Sequence, residues 1–293
     1  MRLVRYDDNR LGVLRGQKIH DVNNVLDRIP ASKWPHPPGD ALIAALPELR
    51  ADIEEMADQA PTIPLGEVTL LSPVASPSKI IAAPVNYMLH LEEARGDAAI
   101  NYGMPVKTID ELGLFLKSPS SLVGAGEGVE RHFPDRRIDH EIELAVIIGR
   151  GGYQIPAERV FDHVAGYCIG LDMSVRGTED RSWRKSLNSF TVLGPALVTP
   201  DEIDDPDALS FRLEVNGEPR QASNTEHLVF DVAKLIAYAA ATYTLHPGDI
   251  ILTGTPEGVG PVVPGDVMHC FIDQLGTMDV SVTEPAVHHA AVA

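Results

Sequence analysis

Residues 139–149 read DHEIELAVIIG, and this stretch decides the fold. Its β-branched residues and the glycines that follow it predict a buried strand. Because side chains alternate along a strand, Glu141 and Glu143 share one face, and the opposite face is wholly apolar. Two partly desolvated carboxylates this close together require a cation or a shared proton. The stretch alone leaves one alternative open, an edge strand whose two glutamates face water.

The composition is that of an ordinary globular protein with an acidic bias. The chain has 293 residues, 44% hydrophobic and 23% charged, and a formal net charge of −18. This length suits one large domain, or a large domain with a small appendage. The charge argues against a nucleic-acid partner, which would need a surface rich in Lys and Arg, and against adhesion to anionic membranes. An anionic substrate would need a bound cation or well-placed Arg and Lys side chains.

The cysteines and the first residues predict a cytoplasmic protein. Cys168 and Cys270 lie far apart, without CxxC or His-rich spacing, so both are expected to be reduced core thiols. Residues 1–8 lack the apolar run of a signal peptide. No apolar run in the sequence approaches membrane-spanning length.

The chain is predicted to divide near residue 72. Residues 1–72 form a small N-terminal α+β domain, with a hairpin pattern followed by a helical spacing interrupted at Pro47. The prolines and small residues of the segment 71–78 indicate a linker. A larger domain is expected to span residues 73–285, and residues 286–293 are expected to be a flexible tail.

An acid–base pair is predicted before the central strand. His90 and Glu93 lie three residues apart and share one face if this segment is helical. A carboxylate beside an imidazole fixes its tautomer and raises its basicity, as a general base requires. The alternative is a solvated His and Glu on a surface helix. Lys117, at the end of a later apolar strand, would ordinarily be solvated as well.

A third carboxylate follows the central strand. Residues 164–171 predict a second core strand that ends in Asp172. Three carboxylates without a Cys suit Mg²⁺, Mn²⁺ or Ca²⁺ rather than Zn²⁺. Arg176, four residues later, could clamp a substrate carboxylate or form a salt bridge with a nearby acidic residue or the ligand cluster. Arg184 and Lys185 add the positive charge that an acidic protein needs around an anionic ligand.

A glycine-rich loop at residues 254–260 follows another apolar strand. It lacks the Gly-Lys-Ser/Thr of a phosphate-binding loop. Its glycines are therefore expected to let backbone N–H groups and Thr255 approach a bound ligand closely.

Taken together, these motifs resemble the fumarylacetoacetate hydrolase family. The matching motifs, in family order over residues 79–282, are Glu141-x-Glu143, Asp172-x-Ser174-Val175-Arg176, Lys185-Ser186 and Gly254-Thr255-Pro256-x-Gly258-Val259-Gly260. The resemblance implies an α+β, β-rich fold, a mixed β-sandwich or β-roll with flanking helices. It also implies a homodimer.

The resemblance assigns roles to individual residues. Glu141, Glu143 and Asp172 would hold Mg²⁺ or Mn²⁺, with Ca²⁺ as a further option. His90 and Glu93 would be the dyad of the family's lid motif, and Lys185 its active-site lysine. The residues predicted to bind substrate are Tyr87, Lys117, Arg176 and Thr255. Two positions depart from the family pattern, Gly177 where many relatives have Asp, and Asn188 within Leu187-Asn188-Ser189 where many read Phe-Asp-Thr.

The implied function is a divalent-metal-dependent hydrolase that cleaves a C–C bond in a 2,4-dioxo acid, such as an acylpyruvate or a fumarylpyruvate-like compound. The cation would neutralise charge on this small anionic 2-oxo acid, His90 would deprotonate a water, and Lys185 would stabilise the oxyanion. One alternative is a decarboxylase or isomerase of oxaloacetate or 2-hydroxyhepta-2,4-diene-1,7-dioate in aromatic catabolism. The other is a non-catalytic binding protein, against which the intact dyad and lysine argue.

Overall fold

The structure, a computed structural model, describes residues 1–285, so the predicted tail at 286–293 lies outside the described residues. The strands are β1 (Arg2–Tyr6), β2 (Arg10–Arg15), β3 (Lys18–Asp21), β4 (Thr62–Pro64), β5 (Leu70–Leu71), β6 (Ile80–Ala82), β7 (Phe115–Lys117), β8 (Leu122–Gly124), β9 (Val129–Glu130), β10 (Ile138–His140), β11 (Ile142–Ile148), β12 (Val164–Asp172), β13 (Ser174–Val175), β14 (Thr191–Val198), β15 (Ser210–Val215), β16 (Glu218–Asn224), β17 (Ile250–Leu252), β18 (Gly260–Pro261), β19 (Val267–Ile272) and β20 (Gly276–Thr283). The α-helices are α1 (Ala41–Gln59), α2 (Met88–Gly96), α3 (Ala98–Asn101), α4 (Ile109–Leu112), α5 (Arg181–Arg184) and α6 (Val232–Thr242).

The strands form three sheets. The largest has 12 strands, in the order β4-β3-β2-β1-β14-β12-β11-β17-β6-β7, with β5 beside β1 and β8 beside β14. A three-stranded sheet runs β13-β10-β18, and a five-stranded sheet runs β16-β15-β19-β20-β9. This strand-rich α+β arrangement confirms the predicted fold class.

The central strand β11 is buried on both faces. It pairs antiparallel with β12 on one side and with β17 on the other, so the alternative of an edge strand is wrong. Ile142 and Leu144 belong to one core cluster, whereas Ala145 belongs to a second cluster on the opposite face. The stretch 139–149 is not one continuous strand, because β10 pairs with β13 and β18 in the three-stranded sheet. The acidic side chains therefore lie where two sheets meet.

The N-terminal residues share the large sheet with the rest of the chain. The predicted hairpin is present, and β1 pairs antiparallel with β14, Arg2 opposite Val198. The division near residue 72 stays a prediction. The predicted interruption at Pro47 is wrong, because α1 continues through this residue. Burial of the apolar face of α1 outweighs the one hydrogen bond that a proline cannot make.

Asp40 ties helix α1 to the segment 71–78. This carboxylate is buried, and it caps the helix while also accepting hydrogen bonds from that segment. Its donors are the backbone N–H groups of Leu42, Ile43, Ala75 and Ser76, at 2.8 to 3.1 Å. The segment predicted as a linker is therefore held against the helix.

Both cysteines are buried and free, in agreement with the prediction. Burial raises the pKa of the Cys168 thiol well above its usual value. Neither thiol is therefore suited to act as a nucleophile. Among residues 1–285, no helix combines the length and the apolar character that a bilayer crossing requires.

Candidate metal centre and active site

Three carboxylates meet at the start of β11 and the end of β12. The antiparallel pairing of these strands places Glu143 opposite Gly170, and the Asp172 N–H donates to the Glu141 carbonyl at 2.9 Å. One carboxylate oxygen of each residue lies within 4.8 Å of the others, and all three side chains are buried. Strand pairing therefore brings together the set that the sequence predicts to bind metal.

Buried cations surround this carboxylate triad. Lys185 Nζ lies 2.6 Å from Glu141 Oε2 and 2.8 Å from Asp172 Oδ2. Lys117 donates to the other Asp172 oxygen and, at 2.7 Å, to the Phe190 carbonyl. Glu141 and Asp172 therefore already have cationic partners.

Glu143 has a different environment. Its Oε2 accepts a hydrogen bond from the Gly254 N–H at 2.7 Å, and within residues 1–285 no Lys or Arg pairs with it. Burial and the negative charge of Asp172 raise the pKa of Glu143 well above its usual value. Burial also acts to raise the pKa of Glu141, but Lys185 and Arg176 outweigh it and hold that pKa below its usual range.

The donor set fits a hard divalent cation. Three buried carboxylates supply oxygen ligands, which Mg²⁺ and Mn²⁺ prefer. Burial and the charge of Asp172 oppose the ionisation of Glu143 and raise its pKa, and a cation here would offset both effects. Glu141, Glu143 and Asp172 are therefore the residues that would hold the metal.

His90 of the predicted acid–base dyad lines the same cavity as Glu141 and Glu143. On α2, His90 Nδ1 lies 2.9 Å from Glu93 Oε2, and the other Glu93 oxygen accepts from the Gly258 N–H at 2.9 Å. His90 is only 6% exposed, so the alternative of a solvated surface pair is wrong for this residue. Glu93 engages Nδ1, which leaves Nε2 as the ring nitrogen available for proton transfer.

The glycine-rich loop binds one carboxylate of the triad and the carboxylate of the dyad. Gly254 and Gly258 donate to Glu143 and Glu93, and both glycines have positive φ angles, 98° and 89°. A Cβ at Gly258 would lie 2.1 Å from the Arg220 carbonyl oxygen, so only glycine fits there. The loop thus fixes the metal site and the dyad relative to each other.

Thr255 is fixed by a residue that sequence analysis missed. Its Oγ1 donates to the Ile142 carbonyl at 2.8 Å and accepts from Gln221 Nε2 at 2.8 Å. Gln221 Oε1 in turn accepts from the Ile142 N–H at 3.2 Å. Gln221 lies on β16, remote in sequence, and no local motif marks it.

One cavity is lined by Glu141 and Glu143 of the triad, by His90 of the dyad, and by the predicted substrate residues Arg176 and Thr255. Its charged and polar lining consists of His90, Asn101, Lys107, Glu141, Glu143, Arg176, Arg181, Arg184, Lys185 and Thr255. The segment that includes Ile100, Val106, Leu112 and Phe115 adds an apolar wall. Arg181 was not predicted as a site residue from the sequence. The cluster of basic residues around Arg184 is the signal that could have indicated it.

Two residues predicted to bind substrate lie outside this lining. Tyr87 is buried against Phe211, with ring centroids 6.1 Å apart, and Lys117 lies behind Asp172 with no exposed side chain. Neither side chain reaches the cavity, because Tyr87 packs in the core and Lys117 is ion-paired in the interior. Arg176 lines the cavity, but it is also bonded to Asp139 Oδ2 at 2.7 Å and Glu141 Oε1 at 3.2 Å, as the salt-bridge alternative expects.

The space beside Gly177 is filled by the side chains of Arg136 and Glu179. A Cβ at this position would lie 1.9 Å from Arg136 Nη2 and 2.2 Å from Glu179 Oε2. Arg136 forms a two-pronged ion pair with Glu179 and also donates to the Arg176 carbonyl. Any side chain here would require the flexible ends of Arg136 and Glu179 to move. Nothing in the structure explains Asn188.

Replacing Lys117 with methionine should lower the free energy of unfolding of the metal-free protein by about 3 kcal/mol, because it removes a buried partner of Asp172. Urea unfolding in the presence of a chelator measures this change. Lys33→Met, which removes the same charge at an exposed position, should change it by less than about 0.5 kcal/mol. Equal effects of the two substitutions would contradict a structural role for Lys117.

Comparison with known proteins identifies close relatives. The chain is 52% identical over 284 residues to the maleylpyruvate hydrolase of Aquipseudomonas alcaligenes, covering 96% of this chain and 99% of the relative. It is 39% identical over 236 residues to a mitochondrial oxaloacetate tautomerase of Bos taurus, covering 76% of this chain and 72% of the relative.

A solved structure matches along nearly the whole chain. It is the maleylpyruvate hydrolase from Sphingobium sp. SYK-6 in complex with manganese(II) and pyruvate, with a TM-score of 0.81, 42% identity, and coverage of 97% of this chain and 99% of that one. Residues 79–283 match the family model described as fumarylacetoacetate (FAA) hydrolase, C-terminal. The chain therefore belongs to the fumarylacetoacetate hydrolase family, as its motifs predict.

Proposed function

We propose that this protein is a divalent-metal-dependent hydrolase that cleaves the C–C bond of an acylpyruvate, with maleylpyruvate as the leading substrate and pyruvate and maleate as products. The observation that carries the proposal is one cavity lined by His90, which Glu93 holds from behind, and by Glu141 and Glu143 of the buried carboxylate triad. The maleylpyruvate hydrolase relatives, which match nearly the whole chain, confirm the predicted enzyme class. A role in aromatic catabolism agrees with that substrate.

The carboxylate triad and Lys185 stabilise the negative charge that develops on the carbonyl groups of the substrate. When bound, the divalent cation supplies charge neutralisation for the 2-oxo acid group. Glu141 and Asp172 hold the Lys185 ammonium at 2.6 and 2.8 Å, so it is oriented before substrate arrives. A positive group fixed in this way stabilises the oxyanion that develops when water adds to the distal carbonyl.

The His90–Glu93 dyad moves the proton. Glu93 fixes the imidazole with the proton on Nδ1, so Nε2 can accept a proton from water. The water oxygen then forms a bond to the distal carbonyl carbon. The adjacent C–C bond breaks, and its electron pair stays with the departing pyruvate enolate. The proton held by His90 is then available to that carbanion, which completes pyruvate.

A decarboxylase or isomerase is less well supported. The oxaloacetate tautomerase relatives are less similar, and they match only 76% of this chain. Such reactions need no attacking water, whereas here a base is oriented by a carboxylate that a loop N–H also holds. The geometry therefore favours hydrolysis.

A product assay tests the proposal. Purified protein with Mn²⁺ or Mg²⁺ would be given maleylpyruvate, oxaloacetate and 2-hydroxyhepta-2,4-diene-1,7-dioate separately, with products identified by mass. We expect pyruvate and maleate in equal amounts from the first. Carbon dioxide or an isomer from the other substrates, with maleylpyruvate untouched, would show that the proposed function is wrong.

The proposal extends to the metal, the cellular location and the oligomeric state. We propose Mg²⁺ or Mn²⁺ as the metal because hard oxygen ligands suit both, and Ca²⁺ is a less favoured option. Two free buried cysteines agree with a cytoplasmic location. A homodimer is proposed from the family resemblance, and light scattering should then give twice the 31.7 kDa chain mass.

A further inference from the structure

Arg181 differs from the other buried or half-buried cations of the cavity, because its guanidinium has no partner among the described residues; Lys107, which also lines the cavity, is exposed. Arg176 is bonded to Asp139 and Glu141. Lys185 is also bonded to Glu141, and to Asp172. Among residues 1–285, no hydrogen bond or ion pair engages the Arg181 side chain, although it lines the cavity.

The second arginine of the same short helix is already engaged. Arg184 donates to the carbonyls of Glu179 at 2.9 Å and Val175 at 3.3 Å. Its guanidinium is therefore held against the backbone. Arg181, at the other end of α5, is the half-buried guanidinium of this cavity that keeps its donors for a ligand.

Arg181 lies close to the reacting end of the cavity. Its Cζ is 5.5 Å from the centroid of the Phe115 ring, and Lys185 Nζ is 5.7 Å from the same centroid. Both cations therefore lie close to the same aromatic ring. A molecule that contacts Lys185 with its carbonyl could reach Arg181 with the next part of its chain.

The desolvated charge of Arg181 needs compensation. Burial lowers the pKa of Arg181, against the opposing effect of the negative charges of Glu141 and Asp172. A guanidinium nevertheless stays protonated at neutral pH, and its planar fork matches the two oxygens of a carboxylate. An anionic group at this place would supply the missing partner.

We propose that Arg181 binds the carboxylate at the far end of the acyl group and makes the enzyme selective for dianionic acylpyruvates. The inference rests on the proposed function, in which the 2-oxo acid end of the substrate lies at the carboxylate triad. The acyl end then extends along Phe115 to Arg181. In a protein of net charge −18, this local cation also offsets the repulsion of a second negative charge.

The test compares two substrates of equal chain length. One is maleylpyruvate, and the other is an acylpyruvate in which a methyl group replaces the far carboxylate. Arg181→Gln should lower kcat/KM for maleylpyruvate by about 10- to 100-fold, the effect of losing charge-assisted hydrogen bonds. For the methyl analogue, kcat/KM should change by less than about threefold, since this substrate offers Arg181 no charge.

Two further variants separate charge recognition from other effects. Arg181→Lys should recover part of the preference for maleylpyruvate, because it restores the charge without the planar fork. Arg159→Gln removes the same net charge at an exposed position outside the cavity, and it should leave the ratio of the two kcat/KM values unchanged. Equal losses on both substrates in Arg181→Gln, or no loss on either, would overturn the assignment.

A binding measurement separates this inference from the proposed function. If the wild-type protein cleaved neither substrate, the proposed hydrolase function would fail. Calorimetry with maleate and Mn²⁺ would then decide the role of Arg181. A loss of maleate affinity of at least about tenfold in Arg181→Gln supports a carboxylate site at this residue, and unchanged affinity contradicts it.

Discussion

Replacing Glu143 with glutamine should lower kcat/KM for maleylpyruvate by at least about 1,000-fold, since a metal ligand supplies several kcal/mol of transition-state stabilisation. The side chain keeps its volume and its acceptor for the Gly254 N–H. The same substitution should abolish tight Mn²⁺ binding, measured by calorimetry. Glu158→Gln, at an exposed position, is the matched control and should leave both quantities unchanged.

The stability of this variant distinguishes a lost ligand from a misfolded protein. Burial and the charge of Asp172 raise the pKa of Glu143, so in the metal-free protein its ionisation is opposed by its surroundings. A neutral amide should therefore leave the melting temperature of the metal-free protein unchanged or raise it. Tight Mn²⁺ binding retained by Glu143→Gln would remove this residue from the ligand set.

Replacing His90 with alanine should lower kcat by at least about 100-fold, the usual contribution of a general base. The affinity for Mn²⁺ should change little, because His90 contacts Glu93 rather than the carboxylate triad. Steady-state rates at saturating maleylpyruvate measure this effect. Glu93→Gln, which keeps the ring in place but weakens its basicity, should show a smaller loss. Activity of His90→Ala within a few-fold of wild type would exclude His90 as the base.

The carboxylate triad could be predicted from the sequence, because it depends only on the alternation of side chains at the start of β11 and on the pairing of β11 with β12. The period of two puts Glu141 and Glu143 on one face, and Asp172 ends the strand that pairs with them. The dyad could be predicted for the same reason, because residues three apart on a helix, such as His90 and Glu93, lie on one face. In each case the signal lies within a few residues of sequence.

Contacts between distant segments could not be read from the sequence. Gln221 reaches Thr255 only because β16 lies beside the glycine-rich loop in the folded protein. Lys117 resembled a solvated strand-end lysine, yet Asp172 and the Phe190 carbonyl hold it in the interior. Pro47 marked a helix break on local grounds, but burial of α1 outweighed the lost hydrogen bond. Tertiary packing decided all three.

Crystals grown with Mn²⁺ and pyruvate, measured at the manganese absorption edge, should show whether Glu141, Glu143 and Asp172 hold the cation at which an acylpyruvate is cleaved. We expect one anomalous peak coordinated by an oxygen from each of the three carboxylates, with pyruvate beside it and facing Lys185. A peak elsewhere in the protein, or none among these carboxylates at saturating Mn²⁺, would show that this metal site is wrong.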